Sequence, residues 1–358
     1  MPQAVPLAIA GFGLVGRRHA AAIAQCAGAE LAAVIEPEAE ARAEARALGC
    51  AVYPDLDAFF AAGGADGLIL ATPNPLHVAQ GLQAVAAGLP VLVEKPIATQ
   101  AADAVQLIAA AEQAGVPLLV GHHRRYNPII QAAQEAIARG DLGELRAVQA
   151  TCWFYKPDAY FNAADWRKRP GAGPVAVNLV HDIDLMRHLC GEVVSVRALA
   201  APSRRGFDNE DLASALLSFA SGVIGTVSVS DSITAPWSWE MTAREHPIYP
   251  PTSESCYMIG GSRGALSLPD LRLWQHGAGE PDWWAPISAT SLMRAATDPL
   301  VNQIAHFIDV IAHGAAPLVS GREGLRTLEV IEAMQLSAAE GRDIALQPAA
   351  PREVAQAG

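Results

Sequence analysis

Cysteine is scarce and unpatterned in this chain. Five residues, Cys26, Cys50, Cys152, Cys190 and Cys256, are scattered over 358 positions. Their number is odd and no two share a C-x-x-C spacing, which speaks against a disulfide scaffold and a zinc site and fits a reducing compartment. Basic residues are in deficit as well: 25 Lys and Arg stand against 37 Asp and Glu, a formal net charge of −12. That balance argues against nucleic acid or an anionic membrane surface as partner. No run approaches the ~20 unbroken apolar residues of a membrane-spanning helix. The N-terminus lacks a basic flank followed by a long apolar core, so no signal peptide is expected and the expected location is the cytoplasm. Internal repeats are not seen. What the chain does have is apolar content: 51% hydrophobic residues, enough for sizeable cores in two domains.

The most informative stretch lies near the start. Leu7–Ala10 is an apolar run long enough for a buried strand, and it passes directly into Gly11-x-Gly13-x-x-Gly16. Val15 to Ile23 then reads as a helix. Each glycine has its own physical reason: a tight turn at Gly11, close approach of backbone to a pyrophosphate at Gly13, and close packing of helix on strand at Gly16. The helix start offers free N–H groups and a positive dipole end to phosphates. A second apolar run, 31–35, ends at Glu36, about 20 residues beyond the glycines, where a carboxylate accepts the ribose hydroxyls of NAD and repels a 2′-phosphate. Arg17 and Arg18 leave NADP as the less favoured option.

Up to residue 121 strand-like runs alternate with helical patterns, which specifies an α/β domain with a doubly wound parallel sheet. Four loops then converge at the carboxyl ends of its strands: 11–16, 72–75, 94–96 and 121–125. Beyond this the texture changes to β-branched and aromatic runs joined by Gly-containing turns such as Ser221-Gly222. They predict an α+β domain with a large open, mainly antiparallel sheet, interrupted by a helix over 180–189 and closed by helices over 302–313 and 323–338. The expected division is 1–122 for the cofactor domain, 123–345 for substrate binding and oligomerisation, and 346–358 as a frayed tail. The segment 231–253 has no clear pattern and is long for a plain connection.

Candidate chemistry sits in those loops. Lys95, in Glu94-Lys95-Pro96, follows the strand 91–93. A lysine there can hydrogen-bond a substrate hydroxyl and stabilise its developing negative charge; the alternative is a surface lysine. The Lys95–Pro96 bond is a candidate for cis. Asn178, His181 and Asp184 recur at helical spacing. His181 suits general-base work, with Asp182 or Asp184 fixing its tautomer, or it is a histidine held by a carboxylate purely for structure. Arg124, Arg125 and Arg167 can bind a carboxylate or several hydroxyls, or form salt bridges; Lys168 and Arg169 read as solvated charge. Trp153, Phe154, Tyr155, Tyr160 and Phe161 wall an apolar pocket or belong to a sheet core.

Taken together, Gly11–Gly16, Thr72-Pro-Asn-Pro-Leu-His77, Glu94-Lys95-Pro96, 121–128, and Gly171-Ala-Gly-Pro leading into His181-Asp-Ile-Asp-Leu resemble the Gfo/Idh/MocA oxidoreductases, relatives of glucose-fructose oxidoreductase and inositol dehydrogenase. The likeness runs from Leu7 to Glu340. It implies a Rossmann domain and an open sheet whose outer face makes homodimer or homotetramer contacts. It implies an NAD-dependent dehydrogenase oxidising a secondary alcohol of a sugar, cyclitol, sugar acid or carboxylated cyclohexadiene cis-diol, with Lys95 polarising the hydroxyl and His181 moving its proton. Cofactor contacts are then expected from Gly11, Phe12, Gly13, Leu14, Val15, Gly16, Glu36, Thr72, Pro73, Asn74, His77, Glu94 and Lys95. Substrate contacts are expected from His123, Arg124, Arg125, Tyr155, Trp166, Arg167, Asn178 and His181, and no metal is expected. Two positions depart from the family pattern: Val177 stands where an Asp often precedes the His by four residues, and His123 where many members carry Asn. The same fold also hosts NAD-dependent glycosidases, and a non-catalytic NAD-binding sensor is a third reading.

Overall fold

A computed structural model describes residues 4–277 and 281–347. They fall into two compact units, 4–128 with 296–328, and 129–295 with 329–347, so far as these are described. The strands in chain order are β1 (Val5–Ala10), β2 (Ala29–Ile35), β3 (Ala51–Tyr53), β4 (Gly67–Leu70), β5 (Val91–Val93), β6 (Leu118–Val120), β7 (Leu145–Trp153), β8 (Val193–Pro202), β9 (Glu210–Phe219), β10 (Ile224–Ser230), β11 (Tyr257–Gly261), β12 (Gly264–Leu268), β13 (Arg272–His276), β14 (Ile287–Ser291) and β15 (Ile344–Ala345). The helices are α1 (Leu14–Gln25), α2 (Ala39–Arg46), α3 (Leu56–Ala62), α4 (His77–Ala86), α5 (Ala101–Ala114), α6 (Pro128–Ala138), α7 (Asp158–Asn162), α8 (Val180–Cys190), α9 (Trp239–Thr242), α10 (Pro299–His313) and α11 (Gly321–Glu340). Among the described residues no helix is long and apolar enough to cross a membrane.

The first unit is a parallel sheet in the order β3-β2-β1-β4-β5-β6. Its strands are covered on both faces, so successive residues enter opposite cores. Ala8, Ala10, Leu68, Leu70 and Val93 pack with Ala84 and Leu107 of α4 and α5. Leu7, Ile9, Ile69, Leu92 and Leu119 pack with Ile23 of α1 and with Leu300, Ile304, Phe307 and Val310 of α10. By packing, the first unit takes in more than the expected 1–122. Residues 296–328 return to the first unit because α10 supplies the apolar cover for one face of its sheet. Gly67 shows how close that cover lies, since a Cβ there would stand 2.7 Å from Ile311 Cδ1.

His306 on α10 gives the first unit a pH dependence. Its Nε2 accepts the Leu318 N–H at 3.0 Å, and its ring lies 5.5 Å from that of Tyr126. Burial lowers its pKa below the ordinary 6.5, against the opposing effects of Asp309 and a backbone hydrogen bond at Ala316. As pH falls, the unfolded chain therefore takes up this proton before the folded one does. The stabilisation is present above about pH 6.5 and is lost on going below it. Thermal unfolding followed from about pH 8 down to about pH 5 is expected to show a steeper loss for wild type than for His306→Gln. Parallel curves would discount His306.

The second unit is a nine-stranded sheet in the order β14-β13-β12-β11-β7-β10-β9-β8-β15. It is mainly antiparallel, with one parallel pair, β7 with β10. Strand β9 shows the pattern behind it: Ala213, Ala215, Leu217 and Phe219 are buried while Ser214, Leu216 and Ser218 are exposed. The buried face packs on Ile129 and Ala133 of α6, Ile183 and Met186 of α8, and Ile331 and Met334 of α11. Gly222, at φ +85°, closes the expected hairpin between β9 and β10. The unread segment 231–253 is packed rather than free. Ser238 caps α9, Trp239 is buried edge-on to Tyr257, and the Trp237 carbonyl accepts the Trp153 N–H. Strand β14 went unread because all five of its residues are exposed and carry no alternation. The proposed tail 346–358 lies, apart from Leu346 and Gln347, outside the described residues.

Candidate active site

Glycine geometry builds the turn from β1 into α1. Gly11 has φ +87°, and a Cβ there would stand 2.7 Å from the Ala71 carbonyl oxygen just past β4. A Cβ on Gly16 would stand 2.0 Å from the Gly11 carbonyl oxygen, so the helix meets the strand only without a side chain. At Gly13 a Cβ would meet nothing within 4 Å, which leaves the backbone open to a ligand. Gly13 is also the N-cap of α1, with no side chain capping the helix and no acid in its first turn. The unpaired N–H groups keep their positive potential for an anion. Phe12 is buried beside this turn, whereas Leu14 and Val15 are exposed.

Glu36 completes the cradle. It is buried at the end of β2, where Oε2 accepts the Phe12 N–H at 2.7 Å and Oε1 the Glu38 N–H at 3.0 Å. Each oxygen retains a lone pair for a ribose hydroxyl. Arg17, the candidate reader of a 2′-phosphate, is instead paired with Glu44 at 2.6 Å. The residues present therefore fit NAD.

The neighbouring loops are tied together by buried polar groups. Thr72 Oγ1 donates to Gln80 at 2.6 Å, and Pro73 and Asn74 are exposed at the loop tip. His77, expected at the cofactor, is fully buried. Its Nδ1 lies 2.9 Å from the Pro96 carbonyl and its Nε2 2.8 Å from the Thr72 carbonyl. Both ring nitrogens join the loop after β4 to the loop after β5.

Glu94 also turns inward. Its Oε1 is 2.7 Å from His19 Nε2, and Oε2 accepts the Lys95 N–H at 3.1 Å. A Cβ on Gly121 would stand 2.9 Å from this carboxyl, so only glycine leaves room for it. Burial by itself would raise the Glu94 pKa, but the hydrogen bond and charge of His19, with His123 and Lys95, bring it down to about 2. Glu94 is thus an internal anion holding the backbone of Lys95, and the Lys95–Pro96 bond is cis. His19 was missed in the sequence, where it sits in an Ala-rich helix; a lone histidine on an otherwise apolar buried face was the available signal.

A 3₁₀ turn, His123–Tyr126, follows β6. His123 is half-buried and Arg124 buried. Arg125, expected to bind substrate, is buried and paired with Glu323 of α11 at 2.9 Å. Its guanidinium is thereby tied to α11.

In the second unit a π turn, Val175–Leu179, leads into α8. Such turns widen a helix by one residue and recur at functional sites. The Val175 N–H is held by Glu210 at 3.1 Å. Regular α spacing therefore starts only at Val180, which shifts Asn178 from the single helical face expected for it with His181 and Asp184. Asn178 Oδ1 is buried with no hydrogen-bond partner, and His181 Nδ1 is buried. Asp182 accepts a hydrogen bond from the Tyr257 hydroxyl on β11, which ties this acid to the sheet.

Tyr155 and Trp166 are exposed. Arg167 packs 4.2 Å from the Tyr160 ring and donates to the Tyr160 carbonyl at 2.7 Å. Lys168 and Arg169 lie beside Asp165 and Asp208, as solvated charges. Phe161 is core, packed on Phe207. A buried cluster absent from the sequence reading lies close by. Lys156 Nζ is 3.9 Å from Asp231 and 5.0 Å from the Tyr160 ring, and Arg205 pairs with Asp231 at 3.0 Å. Burial lowers the Lys156 pKa and raises that of Asp231. Among the described residues no group of three or more His, Cys, Asp or Glu side chains could hold a metal ion.

Comparison with known proteins agrees with this architecture. Residues 5–122 match the model of the oxidoreductase family with an NAD-binding Rossmann fold, and residues 130–267 match the GFO/IDH/MocA C-terminal domain. The chain is 31% identical to the D-apiose dehydrogenase of Paraburkholderia graminis over 352 residues, 95% of this chain and 89% of that protein. It is 30% identical to the inositol 2-dehydrogenase of Rhizobium meliloti over 349 residues, 96% of this chain and 99% of that protein. Its fold matches the crystal structure of the WlbA dehydrogenase from Bordetella pertussis in complex with NADH and UDP-GlcNAcA. That match has a TM-score of 0.78 and 26% identity, and covers 97% of this chain and 100% of the other. A glycine cradle that fits NAD, a parallel sheet followed by a mainly antiparallel one, and both domain matches lead to one assignment: this chain is an NAD-binding oxidoreductase of the Gfo/Idh/MocA family.

Proposed function

We propose that the protein is a dehydrogenase that oxidises a secondary alcohol of a sugar or cyclitol. NAD, when bound, supplies the hydride acceptor. Lys95, as its ammonium form, donates from Nζ to the reacting hydroxyl oxygen and stabilises the negative charge that develops there. His181 takes the hydroxyl proton as general base. The observation that carries this reading is the position of Lys95 at the carboxyl end of β5. The glycine turn lies at the same edge of the sheet, and the Lys95 backbone is anchored by the ionised Glu94.

Of the three arginines that favour a carboxylated substrate, 124, 125 and 167, the internal pairing of Arg125 and the packing of Arg167 on Tyr160 leave Arg124 as the main support. Neutral polyols, the substrate type named for the apiose and inositol dehydrogenases, come first. Assembly through the outer face of the large sheet has support from exposed Leu199, Leu216 and Ile224. A groove of about 450 Å³ lies on that sheet between Thr151, Trp153, Ser214 and Ser228. The test of function is NADH absorbance at alkaline pH with a panel of aldoses, cyclitols, sugar acids and cis-diol acids, run with NAD and NADP separately. Turnover of a neutral polyol with NAD is the expected result. Glycoside cleavage without net NADH, or NAD binding with silence across the panel, would overturn it.

A further inference from the structure

The two edges of the nine-stranded sheet are built differently. At one edge, β15 is a strand of only two residues, a short edge of the kind that resists further pairing. At the other, β14 runs for five residues, Ile287-Ser-Ala-Thr-Ser291, all exposed and none charged. It pairs with β13 on one side and presents its remaining backbone donors and acceptors on the other. Next to it stand the most exposed aromatic side chains described in the protein. Trp283 is 87% exposed and Trp284 82%, their rings edge-on at 5.2 Å. Ile287 is 56% exposed and Met293, just past the strand, 93%.

We propose that β14 and this tryptophan arm form a self-association surface, covered by the same surface on a second copy of the chain. An uncharged antiparallel edge is complementary to itself across a two-fold axis, the commonest symmetry of homo-oligomers. Paired tryptophans are the residues on which interface energy concentrates. The area fits as well. Two nearly bare indoles, the Met and Ile side chains and one face of the strand offer on the order of 700 Å² per copy, close to the ~800 Å² per partner of a stable interface. A protein of net charge −12 repels its own copies over most of its surface, and this uncharged strand avoids that cost. The surface is distinct from the outer sheet face and independent of the catalytic reading.

The test compares wild type with Trp283→Ser/Trp284→Ser and with Thr290→Lys, which places a guarding charge on the edge. All three sites are exposed, so the variants are expected to fold, as circular dichroism will show. Sedimentation at micromolar concentration is expected to give each variant half the wild-type mass. Hydrogen exchange at residues 287–291 is expected to be slow in wild type and fast in both variants. Leu216→Arg, on the outer sheet face, separates the two interfaces. A wild type that is monomeric throughout, or arm variants whose mass equals that of wild type while Leu216→Arg dissociates the protein, would overturn the proposal.

Discussion

Lys95→Ala is expected to lower kcat by about 10²–10⁴-fold, the range for loss of a positioned proton donor or charge-stabilising group. NAD affinity should stay close to wild type. The separation follows from where each function resides. The cofactor cradle is formed by backbone at Gly11, Gly13 and Gly16 and by the Glu36 carboxylate, none of which touches the Lys95 side chain's own role. The Lys95 N–H that bonds Glu94 is backbone and survives the substitution. Fluorescence titration with NAD and steady-state turnover on the best polyol from the panel read the two effects independently. A kcat close to wild type would remove Lys95 from the reaction. A parallel loss of NAD binding would show that the substitution had disturbed the loop instead.

Arg125→Ala carries the largest expected cost in stability, about 3–5 kcal/mol, because it leaves one member of a buried ion pair behind. The Arg125 side chain is 1% exposed and its Glu323 partner 18%. Glu323 lies in the first turn of α11, where the helix end favours a negative charge, so the result should fall toward the lower part of that range. The double variant Arg125→Met/Glu323→Gln should recover most of the loss, since the uncompensated charge is then gone. Chemical denaturation of the three proteins measures this. If Arg125→Ala keeps wild-type stability and instead raises KM, the arginine belongs to substrate binding after all.

That arginine shows where sequence reading stops. Residues 121–128 were legible as a strand-end loop carrying two arginines and two histidines, and both a substrate role and a salt bridge were open for Arg125. Choosing between them required Glu323, which lies almost 200 residues away and reaches Arg125 only because residues 296–328 fold back onto the first sheet. His77 behaves the same way. Its motif stood out, but its ring bonds two carbonyls, Pro96 and Thr72, that no spacing rule connects to it. The π turn before His181 was hidden because an i to i+5 turn leaves no mark in an apolar run such as 175–180.

Short-range signals suffice for the local architecture of the first unit and for its cofactor cradle. Glycines at 11, 13 and 16, an acid at 36 and the alternation of apolar strand with helix are short-range signals, each with a single physical reading. The sequence also placed Lys95 at a strand end, since strand and loop are contiguous. Which charged groups pair with one another depends instead on tertiary structure. His19 and Glu94, Arg125 and Glu323, and Lys156, Arg205 and Asp231 are pairings between distant segments. Burial strengthens such pairings and makes their loss costly, while burial itself depends on the whole packed chain.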